Sequence, residues 1–445
     1  MTEQMKPSGI DCIGLMPIDW KIEPMKYRVS FHNGDRGENY PTKAEITSHG
    51  IPFINAGHLL EGCLDMDNMD FITPEKYKMM GGVKLKKNDI LYCLRGSLGK
   101  NAILNVNDGT VASSLVAIRC TKINPRFLYY SLNCSVEESQ RNIWDNGTAQ
   151  PNLSAESLGQ FKICIPSTSE QQAISSFLDA QCTKIDSVVS NIEKQIETLQ
   201  KYKKSLITET VTKGLDKSVP MKDSGIEWIG AIPMHWEIKR LKFMLANCTE
   251  NMKVGPFGSA LSGSDFTDEG KWVYNQRVVL DNNFEDNDTF ISEEKFNEMK
   301  GFTVNSGDIL ITTRGTIGKV AIVPQNAPEG ILHPCIIKFR VNEDLIMPEL
   351  LKLIFNESDF VKDQFTLMSN ATTIEVIYSY SLKDIILPVI PTEEQRKIYN
   401  YLSKKCATID AIITEKQSSL SAIMQHKKSL IYEYVTGKKR VTEVN

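Results

Sequence analysis

The sequence predicts an α+β protein. Two tandem mixed α/β domains are joined by two long helices packed as an antiparallel coiled coil, with pseudo-two-fold symmetry. Three observations predict it: a repeat of three blocks in one order, short strand-like runs in each copy, and a long helical pattern closing each copy. MKPSGIDCIGLMPIDWKI from Met5 returns as MKDSGIEWIGAIPMHWEI from Met221. VKLKKNDILYCLRGSLGKNAIL from Val83 returns as FTVNSGDILITTRGTIGKVAIV from Phe302, and SEQQAISSFLDAQCTKIDSVV as TEEQRKIYNYLSKKCATIDAII. Arg95 and Arg314 stand 219 apart, and Glu170 and Glu394 stand 224 apart. A period this long marks a domain duplication and not a solenoid. A duplicated chain suits a partner with two-fold character of its own, for which duplex DNA is the leading candidate.

The strand-like runs are DILYCL, NAILNV, VAIRC and FKICIP in the first copy, and DILITT, KVAIV, CIIKFRV and DIILPVI in the second. Turn residues separate them. FLYYSLNCS and LLKLIFNES read as short helices. Ser or Thr ahead of Glu and Gln, after Pro166 and Pro391, marks a helix start. Apolar residues then recur at helical spacing: Ile174, Phe177, Ile185, Val188, Ile192, Ile196, Leu199, Tyr202 and Leu206. The second series is Ile398, Tyr401, Ile409, Ile412, Leu420, Ile423 and Leu430. Gly214 and Gly437 supply the stops. Each helix is about 40 residues, or roughly 60 Å. A narrow stripe on so long a helix is expected to pair with the other helix. Two separate helices covering two cores is the alternative. Lys416 falls where Ile192 stands, so the stripes differ.

At 445 residues, two or three domains are expected. No apolar run reaches the roughly 20 residues of a membrane helix, and MTEQMKPSGIDC lacks a secretory pattern. Ten cysteines without a C-x-x-C pair suggest reduced thiols in a cytoplasm. Six histidines without an H-x-x-x-H pair give no metal site. The net charge of −4 runs against free-standing DNA binding. Either basic groups gather on one face, or partners supply phosphate contacts.

No catalytic motif emerges. LRGSLGK and TRGTIGK have G-x-x-G-K spacing, unlike a phosphate-binding loop, and strands follow them. Asp89 and Asp308 repeat ahead of apolar strands, where a turn role is expected and not a metal ligand. No catalytic residue and no metal ligand is assigned.

The ordered set resembles the DNA-specificity subunits of type I restriction–modification systems. SGIDCIGLMPIDW and SGIEWIGAIPMHW are similar to that family's domain-start pattern, with Cys12 in place of the Trp at 228. NDILYCLRGSLGK and GDILITTRGTIGK resemble its strand–turn pattern. GTAQPNLS (147–154) resembles a motif near the end of its recognition domains, and SNATTIEVIYSYS departs from it. IPSTSEQQ and IPTEEQ resemble the openings of its helical regions.

The resemblance implies two target recognition domains, each reading half of a bipartite, asymmetric site on double-stranded DNA. The segments are then 1–165 and 216–390 for these domains, 166–215 and 391–437 for the helices, and a tail of 438–445. The helices are expected to fix the gap and dock two methyltransferase subunits, to which two restriction/helicase subunits add. This chain is then no enzyme and carries no cofactor. S-adenosylmethionine, ATP and Mg fall to the partners. A protein-binding scaffold, or an inhibitory orphan relative, is the alternative; an enzyme with an unrecognised site is a third.

Base reading needs polar side chains on loops, and phosphate contact needs Lys or Arg. The candidates are Arg36, Asn39, Tyr40 and Lys43 in the first copy, and Ser259, Ser262, Asn275, Gln276 and Arg277 in the second. An ordinary surface loop is the alternative for each. Arg95 with Lys100, and Arg314 with Lys319, are phosphate candidates set against structural or partner-facing roles. Thr148, Gln150 and Asn152 suit bases or backbone. The late-helix cations Lys201, Lys203, Lys204, Lys427, Lys428, Lys438, Lys439 and Arg440 are expected on a solvated face, with methyltransferase or DNA contact as the sharper reading. Trp20 and Trp236 are expected in cores.

Overall fold

The computed structural model describes residues 4–60, 62–145, 152–257, 260–369 and 376–441. The chain divides into two compact units. The first is Met1–Ile192 with Ser418–Asn445, and the second is Glu193–Gln417. Each unit therefore holds one copy, the start of one long helix and the end of the other.

In the first unit, β1 (Lys21–Pro24) leads through a 3₁₀ turn to β2 (Val29–Asn33). Then come β3 (Ile51–Ile54), β4 (Phe71–Ile72), β5 (Ile90–Cys93), β6 (Asn101–Ile103), β7 (Thr110–Val111) and β8 (Leu115–Cys120). Helices α1 (Pro125–Ser131) and α2 (Ser135–Trp144) precede β9 (Lys162–Ile165) and the long α3 (Thr168–Lys213). An antiparallel sheet has the order β2-β8-β5-β6. A smaller sheet, β4-β3-β7, includes the parallel pair β3–β7. β9 closes the domain against β1.

The main sheet is buried on both faces. Ile90 and Tyr92 of β5 enter one core, and Leu91 and Cys93 enter another. Val116 and Ile118 alternate with Leu115 and Ala117 in the same way on β8. The period-2 alternation of strand side chains thus explains why the run reads as continuously apolar although the sheet is antiparallel.

The second unit repeats the plan with β10 (Glu237–Arg240), β11 (Met252–Val254), β12 (Phe266–Thr267), β13 (Lys271–Tyr274), α4 (Gln276–Asp281) and β14 (Phe290–Ile291). β15 (Ile309–Thr312), β16 (Val320–Ile322), β17 (Gly330–Leu332) and β18 (Ile336–Phe339) follow. Then come α5 (Pro348–Glu357), α6 (Phe360–Ser369), β19 (Ile386–Val389) and the long α7 (Thr392–Val435). Its sheets run β11-β18-β15-β16, β12-β14-β13-β17 and β10-β19. Trp20 and Trp236 are fully buried, each donating from Nε1 to a first-turn carboxylate of the long helix that follows its domain: Glu170 at 3.4 Å and Glu394 at 2.7 Å.

Within each unit the two long helices run antiparallel. In the first, Phe177 meets Tyr434 and Asp186 meets Lys427. In the second, Gln195 meets Lys416 and Lys203 meets Asp410. The shielded positions on α3 step by four and three: Leu178, Cys182, Ile185, Val189, Ile192, Ile196, Leu199, Lys203, Leu206 and Thr210. Each has a shielded counterpart 224 residues on, from Leu402 and Cys406 to Leu430 and Tyr434.

That spacing corrects four positions of the expected stripe. Val188, Tyr202, Tyr401 and Ile412 are exposed, at 48%, 55%, 36% and 38%. Their neighbours Val189, Lys203, Leu402 and Ile413 are the shielded ones instead. One residue turns about 100° around a helix, so apolar neighbours at adjacent positions cannot both face the seam.

Of the late-helix cations, Lys201, Lys204, Lys428 and Lys439 are exposed as expected, whereas Lys203, Lys427, Lys438 and Arg440 are shielded. Lys203 is buried and held by Asp410 and Glu357 at 2.8 and 2.6 Å. Lys427 pairs with Asp186 at 2.5 Å, the same pairing 224 residues displaced. Lys204 binds Asp359, Lys201 binds Glu197, and Lys439 binds Glu433. Lys438 caps the carbonyls of Ile13 and Leu15, and Arg440 pairs with Asp19 and Glu170. Lys428 remains exposed. Among the described residues, no helix is long and apolar enough to cross a membrane.

Candidate nucleic-acid interface

The most regular candidate feature is the turn between paired strands in each copy. Residues 94–100 link β5 to β6, and residues 313–319 link β15 to β16. Gly96 and Gly99 have φ of 76° and 87°, and Gly315 and Gly318 have 65° and 78°. This left-handed backbone explains the G-x-x-G spacing, because a Cβ there is strained. The turn thrusts Arg95 and Arg314 into solvent. Arg95 donates from Nε to Asn152 Oδ1 at 3.2 Å, and the backbones of these residues form a bridge. Arg314 bridges Val376 in the same manner. Each turn therefore sits beside the segment that closes its domain. Lys100 Nζ and Lys319 Nζ donate instead to the carbonyls of Ala56 and Asn356, at 3.0 and 2.6 Å, bracing the turn.

What supports the turn differs between copies. Below residues 96–99, Arg141 donates to Glu137 at 3.0 Å, and the Tyr92 hydroxyl also donates to Glu137. A Cβ on Gly99 would lie 2.7 Å from Arg141 Nε. Burial pushes the Glu137 carboxyl up from its ordinary value, against the hydrogen bonds of Tyr92 and Arg141. At the matching positions of the second copy stand Ile311, Val361 and Phe365, packed in an apolar core.

Asp89 and Asp308 lie under the strands. Asp89 accepts from the Lys86 backbone at 2.9 Å and pairs with Arg119 through both oxygens, at 2.9 and 2.7 Å. Asp308 accepts from Asn305 N at 2.9 Å, Lys338 Nζ at 3.1 Å and Arg340 Nε at 2.5 Å. They are buried turn-and-pair residues. Among the described residues, no group of three or more His, Cys, Asp or Glu side chains could hold a metal ion.

The remaining candidates divide by what they already hold. In the 33–43 loop, Arg36 reaches the Ser113 carbonyl at 3.3 Å and stays exposed, as does Lys43. Asn39 is half-buried, and Tyr40 packs edge-on against Phe53 at 5.6 Å. The loop is pinned by Asp35, whose carboxyl the Gly37 and Gly81 amides hold below the ordinary range. Gly34 and Gly255 serve close approach to the protein's own backbone. A Cβ there would lie 2.3 Å from Val111 O or 2.1 Å from His333 O.

In the second copy, Ser262 caps a 3₁₀ turn through Asp265. Asn275 caps α4 and donates to Asp288 and Thr289. Gln276 braces the Thr316 carbonyl at 3.2 Å. Arg277 is ringed by Asp286 and Asp288 at 2.8 Å and Asp281 at 3.8 Å, so its charge is already answered. Thr148, Gln150 and Ser259 lie outside the described residues. Arg95, Arg314, Arg36 and Lys43 are thus exposed cations of the set and, among the described residues, lack the ring of carboxylates that Arg277 has. The pairing of Asn152 with Arg95 could not be read from spacing, since 57 residues separate them.

A family model, the type I restriction modification DNA specificity domain, matches twice, at residues 31–198 and 253–422. The type I restriction enzyme MjaVIII specificity subunit of Methanocaldococcus jannaschii is 26% identical over 441 residues, covering 97% of this chain and 95% of that one. The EcoBI specificity subunit of Escherichia coli is 22% identical over 329 residues, covering 72% of this chain and 67% of its own. A solved chain from work on complex assembly and conformational transition of the type I R-M system superposes with a TM-score of 0.69. It is 14% identical and covers 95% of this chain and 99% of its own, a likeness of fold. With two family domains occupying most of its length, each built on the same sheet and turn, the chain belongs to the type I restriction–modification DNA-specificity family.

Proposed function

We propose that this chain is the noncatalytic DNA-reading subunit of a type I restriction–modification complex acting in the cytoplasm. Its recognition domains, 1–165 and 216–390, each read one half of a bipartite, asymmetric site. The long helices pair as an antiparallel coiled coil with pseudo-two-fold symmetry, set the gap between half-sites, and dock two methyltransferase subunits. Two restriction/helicase subunits complete the assembly. S-adenosylmethionine, ATP and Mg belong to these partners.

The observation that carries this reading is the pattern of what repeats and what does not. The glycine turn, the buried aspartate and the buried tryptophan recur residue for residue, whereas 33–43 and 254–265 share little. A common scaffold with unlike loops suits two different half-sites read in one way. The exposed Arg95 and Arg314 serve as phosphate contacts that fix each domain on the duplex.

Single-molecule sequencing of host DNA tests this. A two-part methylation motif is expected, and exchanging 216–390 for another family member's domain alters one half only. A motif unchanged by the exchange would sink the reading. The competing scaffold reading draws on the acidic ring about Arg277 and the net charge of −4. A gel shift with the methyltransferase subunit across a salt series separates the two, since phosphate contact weakens steeply with salt.

A further inference from the structure

Two exposed rings occupy equivalent places in the copies. Tyr27 is 60% exposed and Phe243 is 65% exposed. Each ends a single 3₁₀ turn, Met25–Tyr27 or Leu241–Phe243. The first residue of each turn, Met25 or Leu241, is fully buried. Its amide is fixed to the carbonyl ahead of the closing strand: Phe161 O at 2.9 Å, or Ile385 O at 2.7 Å. A 3₁₀ turn spaces side chains about 120° apart, so one residue anchors inward while the next two are driven outward. Those two are Lys26 with Tyr27, and Lys242 with Phe243. Each ammonium lies over the neighbouring ring, 5.3 and 5.2 Å from its centroid.

Burial does not account for these rings, because they pack into neither core. Chance exposure of one large apolar side chain is ordinary. The same exposure at the same position of both copies, with the same cation, is a repeated feature. Ile18 and Met234, also equivalent, are exposed at 53% and 51%. By contrast, the exposed stacked pair Tyr378 and Tyr380 corresponds to Ser154 and Glu156, so it belongs to what differs between copies.

A feature alike in both copies cannot discriminate unlike half-sites, so what it meets is alike on both sides. Duplex backbone meets that condition, but phosphates are held by cations and donors and gain little from an apolar ring. An aromatic anchor with an arginine at hand, as Arg28 and Arg240 are here, is instead the make-up of a protein–protein hot spot. Arg28 and Glu23 flank Tyr27, with Lys21 and Lys122 near Glu23. Arg240 and Lys242 share Asp384 beside Phe243. Cations outnumber anions at each place, and the complementary surface is an apolar pocket with an acidic rim.

We infer that Tyr27 and Phe243 are paired anchors, each seating one of two identical methyltransferase subunits in an acid-rimmed apolar pocket. The inference rests on the proposed function and adds to its helix docking surface one contact on each recognition domain.

Native mass spectrometry of the full chain with the methyltransferase subunit is the test. Wild type takes up two subunits. Tyr27→Ala and Phe243→Ala each weaken one of the two by at least about tenfold, the double variant weakens both, and Tyr27→Phe behaves as wild type. Lys26→Glu with Lys242→Glu, which leaves the rings in place, weakens both as well. DNA binding by the chain alone is unchanged throughout. A double Ala variant that keeps both subunits at full affinity overturns the inference. So does one that loses DNA binding without the partner, since the rings would then lie on nucleic acid. A wild-type chain that takes up no methyltransferase overturns the proposed function itself, and the inference falls with it.

Discussion

At Asp308 the buried charge is answered by Lys338 and Arg340, and at Asp89 by Arg119. Removing the carboxylate strands Lys338, which is only 6% exposed. Asp308→Ala is therefore expected to cost about 3–5 kcal/mol in urea unfolding, the penalty of breaking a buried pair. Arg95 and Arg314 are expected to behave otherwise. Replacing either with Ala leaves stability within about 0.5 kcal/mol, because both are exposed. It weakens DNA binding evenly across sequences and lowers the salt slope by about 1, as a lost phosphate contact does. A slope that stays put would remove these residues from the interface. The sequence shows Asp89 and Asp308 as repeated turn positions, because the turn is local. Their partners lie 30 residues or more along the chain, which local pattern cannot reveal. Arg277 differs: its partners Asp281, Asp286 and Asp288 are near in sequence, and it reads as a free cation only because the turn that folds them around it is not spelled out by residue spacing.

The long helices invite a comparison of a charge with its apolar replacement. Lys203 sits in a seam of apolar residues. Burial pulls its pKa down, but hydrogen bonds to Asp410 and Glu357 outweigh this and leave it raised. Lys203→Met is expected to be neutral or to stabilise by up to about 1 kcal/mol, since a well-packed apolar side chain escapes desolvation. Replacing both Asp410 and Glu357 with Ala strands the lysine and costs about 1–3 kcal/mol, less than a fully buried pair because both carboxylates are partly exposed. A raised folded pKa means the pair's contribution is whole below the lysine's ordinary 10.5 and is lost as pH rises through the raised value. Thermal melts at pH 8 and pH 11 check both the size and the sign. Beneath the first glycine turn, Tyr92, Glu137 and Arg141 stand where the second copy has Ile311, Val361 and Phe365. Glu137→Val alone leaves Arg141 and the Tyr92 hydroxyl unpaired and is expected to cost about 1–3 kcal/mol. Adding Tyr92→Ile and Arg141→Phe brings the melting temperature back toward wild type. The helices themselves were plain in the sequence, from their caps to their glycine stops. The seam was less plain, since Val188 and Val189, or Ile412 and Ile413, are equally apolar and only packing chooses between them.

For the molecule as a whole, duplication was the most legible property, because three ordered blocks survive in the primary structure. The membership of each compact unit was not. The last residues, Ser418–Asn445, belong with the first copy. There Ile431 and Val435 fill its core, Tyr432 donates to the Cys12 carbonyl, and Gly437 lies against Pro17 and Trp20. Ending the chain after Gln417 is therefore expected to loosen the first unit more than the second. Amide exchange should show lost protection around Ile13–Trp20 and Ile174–Cys182, with the core about Leu310 and Ile337 largely unchanged.

This arrangement has a consequence in time. A ribosome finishes the second copy's cover, Ile207 and Val211, before that copy emerges. The first copy must wait for its own cover while Glu193–Gln417 is made. At roughly 5–20 residues per second the delay is on the order of 10–50 s. Throughout it, the apolar ledge around Trp20 and Phe177 lacks its lid, so the nascent chain is a natural client for chaperones.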